Sequence, residues 1–270
     1  MRIALFTLES ALNAAAVGDF LERHGEAVVL IGRSLPSRPA MGGVLRQGWR
    51  HLRRSGPRLL PYLWVNYALP QALARWRHHR GHPGALARLA QQRQLPLFDL
   101  ADVNDAATAA AIRAARPDIL VSLHFDQIFT AATLALAPRG GINLHPSLLP
   151  HHRGPVPAIW ALAERAPRFG VTIHRLAPRI DAGAILAQAA VALPSSVTAS
   201  AAARALHLAG VPLLTQVLVD LAAGEVGGHE APLLPYCPFP PPDLLRGLAA
   251  RGRCLVDAAD LRASLRHGTG

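Results

Sequence analysis

Two short apolar runs near the start, IALFTL at 3–8 and AVVLIG at 27–32, flank a helical stretch from Ala11 to Arg23. A strand, a helix and a strand in that order open a βαβ unit, so the chain starts a parallel sheet. The pattern resumes with LPLFDL at 95–100, a helix after Asn104-Asp105, the strand DILVSLHF at 118–125 and the strand GGINLH, which ends at His145. A helix from about Val156 to Ala163 follows, then the strands FGVTIHRL at 169–176 and AILAQAAVAL at 184–193 and a helix from Thr198 to Ala222. The sequence therefore predicts an α/β fold: a Rossmann-like, mostly parallel sheet with helices on both faces and an antiparallel pair at its end.

Between the second and third strands the alternation is interrupted. The segment at about 34–94 reads as a helical insertion of two or three helices broken at Gly56-Pro57, Pro70 and His82-Pro83. It also carries the charge. The net charge is +11 and all 28 basic residues are arginine; twelve of them lie between Arg33 and Phe98, where there is no Asp or Glu, so the remainder is close to neutral. The insertion's aromatics, Trp49, Tyr62, Trp64, Tyr67 and Trp76, are expected to pack between its broken helices, and His78, His79 and His82 to face solvent rather than a metal. These divisions give a catalytic domain at 1–224 containing the insertion, and a short C-terminal appendage at 225–270 that is first Pro-rich and then Arg-rich.

Hydrophobic residues make up 51% of the chain, but they are mostly Ala and Leu spread over amphipathic segments, so no stable membrane insertion is expected. The first residues, MRIALFTLES, read as a strand rather than a targeting segment, which leads to an expected cytoplasmic location. Cys237 and Cys254 match neither a redox motif nor metal-ligand spacing, and read as reduced thiols.

The residues with chemical potential gather at a strand end. Asn143 and His145 are two apart, so on a strand their side chains share a face, and ligands in open parallel sheets collect where strands run out. The run NLHPSLLPHHRGPVPAIWAL (Asn143–Leu162), followed by GVTIH (Gly170–His174) and IDAG (Ile180–Gly183), resembles the active-site signature of the folate-dependent formyltransferases. That family includes methionyl-tRNA formyltransferase, glycinamide ribonucleotide transformylase and the sugar N-formyltransferases. The resemblance extends more weakly over most of residues 95–222.

What it implies is transfer of a formyl group from 10-formyltetrahydrofolate to an amine, with Asn143, His145 and Asp181 as the catalytic set and no metal. Such a transfer passes through a tetrahedral carbon bearing a negative oxygen, which calls for donors aimed at that oxygen and a route for a proton. The resemblance also places the pterin against Leu123, His124, Phe125, Asp126, Ile180, Ala182 and Gly183, and the acceptor against Ser147, Leu148, Arg153 and Gly154. His174 is expected to support the site from the neighbouring strand.

The acceptor is read from the variable parts. Ser10-Ala11-Leu12-Asn13 stands where glycinamide ribonucleotide transformylase has a glycine-rich phosphate loop, which argues against that substrate. The segment after Glu225 is too short for the β-barrel with which methionyl-tRNA formyltransferases grip tRNA, so tRNA ranks second. The arginine-rich insertion favours a small phosphate-bearing amine such as a nucleotide-linked amino sugar. A non-catalytic folate-binding protein, or a peripheral membrane protein using the Arg/Trp segment, is the alternative from another class. A homodimer is compatible with all of these.

Overall fold

The computed structural model describes residues 1–35, 43–225 and 227–269; Arg38 of the arginine-rich segment lies outside them. Seven strands, β1 (Ile3–Leu8), β2 (Val28–Ser34), β3 (Leu97–Leu100), β4 (Ile119–Leu123), β5 (Gly141–His145), β6 (Gly170–Arg175) and β7 (Ile185–Ala190), form one sheet in the order β3-β2-β1-β4-β5-β6-β7. The pairs β1–β2, β1–β4, β2–β3 and β4–β5 are parallel, whereas β5–β6 and β6–β7 are antiparallel. The expected α/β architecture is what the chain adopts. The strand order reverses between β1 and β4, which opens a crevice beyond their C-terminal ends.

Alternation along the strands explains the layers. Ile3 and Leu5 of β1 point to one face, with α1 (Ala14–His24) and the C-terminal half of α9 (Ala199–Ala222); Ala4 and Phe6 point to the other, with α6 (Ala106–Ala115). Each of these helices begins where the sequence provides a boundary. Asp105 caps α6 by accepting from Thr108 N at 2.7 Å, and Thr198 caps α9 by accepting from Ala201 N at 3.0 Å. By length and composition α9 would suffice to cross a bilayer, yet its apolar side is buried against β5, β6, β7 and α1.

The insertion contains α2 (Gly43–Ser55), a 3-10 turn at Pro57–Leu59, α3 (Leu60–Leu63), a π turn at Trp64–Ala68, α4 (Leu69–His79) and α5 (Ala85–Gln92). The breaks expected at Gly56-Pro57 and around His82-Pro83 are present, but the helix does not stop at Pro70. Proline has no N–H to donate to the carbonyl four residues back, and that carbonyl, Asn66 O, accepts instead from Ala11 N at 3.0 Å. The π turn just before Pro70 gives the backbone the extra width this needs.

The insertion also helps to build the interior. Leu59 and Tyr62 enter a second apolar cluster with α8 (Pro157–Ala163), the start of α9 and Leu245 and Leu248 of α10 (Pro242–Ala250), while Leu86 and Ala90 of α5 join the first. The expectation that all the insertion's aromatics pack inward is corrected by their exposure. Tyr62 is buried and Tyr67 half-buried, but Trp49, Trp64 and Trp76 are 61%, 51% and 52% exposed. His78, His79 and His82 are exposed, in line with a solvated face. Finally α11 (Ala258–Thr269) packs on α4, and its Asp260 accepts from Thr198 Oγ1 at 2.7 Å and pairs with Arg204 at 2.5 Å.

Candidate active site

Strand register brings the expected polar residues together. Asn143 on β5 lies directly opposite His174 on β6, and its Nδ2 donates to His174 Nε2 at 3.0 Å. His174 Nδ1 in turn donates to the Arg175 carbonyl at 2.8 Å, which fixes the tautomer with Nε2 as acceptor. Burial pushes the His174 pKa down to about 4; the Asp181 carboxylate opposes that shift, and His145 reinforces it. A neutral imidazole therefore orients the Asn143 amide and leaves its second N–H without a protein partner among the described residues.

His145 ends β5 and is 4% exposed. Its Nδ1 lies 3.6 Å from Asp181 Oδ1, and its Nε2 3.3 Å from the His152 carbonyl. The same Asp181 Oδ1 is 3.7 Å from His174 Nε2, so one carboxylate oxygen sits between two imidazoles, a few tenths of an ångström beyond hydrogen-bond distance of each.

Asp181 is held firmly. It has φ +45°, a left-handed conformation, in the turn between β6 and β7. Gly154 N donates to its Oδ2 at 2.8 Å, Arg153 Nε donates to its carbonyl at 3.1 Å, and the Arg153 guanidinium also binds Ile180 O and, at 2.8 Å, Leu234 O. Arg153 is 4% exposed. Arg153 and Gly154, expected to touch the acceptor, hold the Asp181 turn: the guanidinium spreads over three carbonyls, the Gly154 amide is spent on the carboxylate, and Arg153 also lines the open cavity beside it.

Ser147 also differs from expectation. It is buried, with its hydroxyl donated to His151 O at 2.9 Å and its carbonyl accepting from Thr172 Oγ1. Leu148 packs over Gly170, where a Cβ would come within 2.4 Å of its side chain. Both residues shape the loop after β5 from within. Gly183 is required by a close approach inside the protein: a Cβ there would lie 1.9 Å from the Arg175 carbonyl of β6.

The stretch after β4 forms the opposite wall. Leu123 is a core residue, so only its backbone is available, and Phe125 packs edge-on against Phe6 at 5.7 Å between ring centres. Asp126 Oδ1 accepts from Ser34 Oγ at 2.6 Å. His124, at φ +53°, turns its ring toward Tyr67 of the insertion, 3.3 Å from its hydroxyl, and makes an edge contact with buried His207 of α9 at 4.9 Å. Burial holds both histidines below the usual range, His207 at about 4.

An open cavity of about 550 Å3 lies beside Asp181, lined by Ile128, Arg153, Ile180, Leu233 and Tyr236 among others. Ala182 follows Asp181 in the same turn. Tyr236 was not singled out from sequence, because nothing in a Pro-rich stretch marks one aromatic as functional. Burial raises its pKa first and the Asp181 carboxylate second, while Arg54 and Arg153 oppose the shift. Arg54, at the end of α2, thus acts on Tyr236 through its charge, while its side chain lines a separate surface pocket with Arg46, Trp49 and Arg53.

A second cavity, of about 350 Å3, lies beyond β1 and is lined by Thr7, Glu9, Ser10, Asn13, Leu86 and Arg88 among others. Glu9 pairs with Arg33 at 2.9 Å, and its other oxygen accepts from Leu86 N at 3.1 Å in the first turn of α5. A carboxylate thus already occupies the end of β1 and the start of α5.

Comparison with known proteins identifies the family and the fold. The family model described as formyl transferase matches residues 71–218, more than half of the chain. The chain belongs to the formyl transferase family and is a transferase by class. A sugar N-formyltransferase from a Shewanella species has a similar structure, with TM-score 0.56 and 17% identity, covering 99% of this chain and 88% of that one. Glycinamide ribonucleotide transformylase 1 from Symbiobacterium toebii is similar at TM-score 0.56 and 18% identity, covering 83% and 88% of the respective chains. A third similar structure is a sugar 3N-formyltransferase in the presence of dTDP and 5-N-formyl-THF, at TM-score 0.56 and 14% identity, covering 88% and 69%. At these identities the likeness concerns the fold.

Proposed function

We propose that the protein transfers a formyl group from 10-formyltetrahydrofolate to the amine of a small phosphate-bearing acceptor, of the kind represented by a nucleotide-linked amino sugar. The observation that carries formyl transfer is the convergence of Asn143, His145 and Asp181, from β5 and the β6–β7 turn, on one point beside an open cavity. The amine nitrogen attacks the formyl carbon, and the carbonyl oxygen takes up the negative charge. The free N–H of Asn143 and the imidazole of His145, when protonated, donate to that oxygen. Asp181 Oδ1 receives the proton released by the amine, directly or through a water, and passes it to the departing folate nitrogen as the carbon–nitrogen bond breaks. The products are a formamide and tetrahydrofolate, and no covalent enzyme intermediate is needed.

On this reading the pterin lies between the backbone after β4 and the Ile180–Gly183 turn; that Ile128 and Ile180 line the same cavity supports it. That a sugar formyltransferase of this fold is described with dTDP and 5-N-formyl-THF supports the same pairing of ligands here. Two local features support the acceptor class. The positive charge of Arg54 is felt at Tyr236 in the cavity wall, and would attract a phosphate bound there. The Glu9 carboxylate, paired with Arg33, already takes the Leu86 N–H at the start of α5, the kind of donor a ribonucleotide phosphate would use, which disfavours glycinamide ribonucleotide.

The test is direct. The purified protein incubated with 10-formyltetrahydrofolate and a panel of nucleotide-linked amino sugars, aminoacyl-tRNA and glycinamide ribonucleotide should add one formyl mass to a member of the first group. Asn143→Ala, His145→Ala and Asp181→Ala should each lower kcat by on the order of a hundredfold or more with the fold intact. Near-normal turnover in all three would overturn the mechanism.

A further inference from the structure

The helix running through α3, the π turn and α4 has an unusual solvent side. Leu60, Trp64, Ala68, Ala72 and Trp76 are all exposed and follow one another at four-residue steps, while Tyr62, Val65, Asn66 and Pro70 between them are buried. A four-residue step drifts round an α-helix, and the wider π turn at Trp64–Ala68 takes back part of that drift, so the five residues form one apolar stripe. Arginines border it. Arg58 and Arg75 are exposed, and the exposed Arg80 guanidinium lies 4.4 Å over the Trp76 ring. The outer side of neighbouring α2 repeats the composition with exposed Arg46, Trp49, Arg53 and Arg54. No Asp or Glu occurs anywhere between Arg33 and Phe98.

We infer that this tryptophan stripe with its arginine border docks the protein on the surface of an anionic phospholipid bilayer. Indole rings suit the headgroup level of a bilayer, having an apolar body and one N–H, and arginines beside them meet lipid phosphates and anionic headgroups. The small Ala68 and Ala72 between the tryptophans give a shallow face that rests on a surface, without the run of large anchors that fills a protein groove. Trp64 and Trp76 are twelve residues apart, roughly 18 Å along a helix, too far to stack neighbouring bases of a single strand. Two copies meeting face to face would oppose like charges. The inference is independent of the acceptor and of the folate site.

Flotation of the full chain with phosphatidylcholine vesicles, with and without phosphatidylglycerol, decides it. The protein should float with the anionic vesicles, sink with the neutral ones and be released by salt, and its tryptophan emission should shift to the blue on binding. The pair Trp64→Ala/Trp76→Ala should lower the bound fraction by on the order of tenfold with an unchanged circular dichroism spectrum, and Arg58→Gln/Arg75→Gln should act the same way without disturbing the apolar stripe. Equal flotation of wild type and both variants would overturn the inference. So would absence of flotation, whether accompanied by binding to single-stranded RNA or by self-association through the stripe.

Discussion

At the scale of single residues the site is ordered by an imidazole held neutral. His174 is kept neutral by burial, and in that state its Nε2 can accept the Asn143 amide. Replacing it with Phe keeps the ring but removes the acceptor, so Asn143 loses its orientation. We expect kcat for His174→Phe to fall by about tenfold with the folate KM little changed, as for a contact that matters only in the transition state. A rise in KM alone would assign His174 to folate binding. His174 and His207, both pushed down to about 4 from 6.5, also set an acid limit on stability. Between those values the unfolded chain binds protons that the native chain does not. Their contribution is therefore complete above about pH 6.5 and is lost as the pH falls toward 4, by roughly 3 kcal/mol for each histidine. Urea denaturation at pH 7 and pH 4.5 measures this, and His207→Leu should lose less stability over the interval than the wild type. The exchange removes a buried Nε2 that has no hydrogen-bond partner, at the loss of the bond from Nδ1 to Ala203 O at 2.7 Å.

Elements show how much of the protein could be read in its sequence. β1, β5 and α9 were legible almost to the residue, because apolar runs and a capping threonine mark their limits. Asn143 and His145 were legible as a pair sharing one strand face. What escaped was whatever depends on a partner far along the chain. Pro70 reads as a helix breaker until Ala11 is seen using the carbonyl it leaves idle. Arg153 reads as a ligand for the acceptor until the β6–β7 turn is seen to need its guanidinium. Exposure of Trp64 and Trp76 could not be read either, since a four-residue repeat of apolar side chains signals a buried face just as well. The loop after β5 offers a test at this scale. Gly154 has φ +135°, and a Cβ there would lie 2.1 Å from the Cys237 carbonyl. Gly154→Ala must push the two segments apart and take the amide away from Asp181. We expect it to cost about 2 kcal/mol and to lower kcat, read by thermal denaturation and steady-state kinetics. Unchanged kcat would show that the amide does not set the carboxylate's position.

For the whole molecule the charge is concentrated, with arginines of one insertion set against a nearly neutral remainder. Because the charge of Arg54 is felt at Tyr236 in the cavity wall, Arg54→Gln should raise the KM of a phosphate-bearing acceptor several-fold and leave the folate KM nearly unchanged. Equal changes in both, or in neither, would separate that charge from acceptor binding. The same insertion supplies Leu59 and Tyr62 to one core cluster and Leu86 and Ala90 to another, and Ser264 Oγ of α11 donates to Val65 O at 2.6 Å beneath its π turn. The polar outside and the apolar inside of this segment are therefore one piece of architecture. On the proposed reading, in which the insertion's charge draws the acceptor, grafting in another family member's insertion would first have to replace two parts of the hydrophobic core, and would be a problem of folding before it became one of specificity.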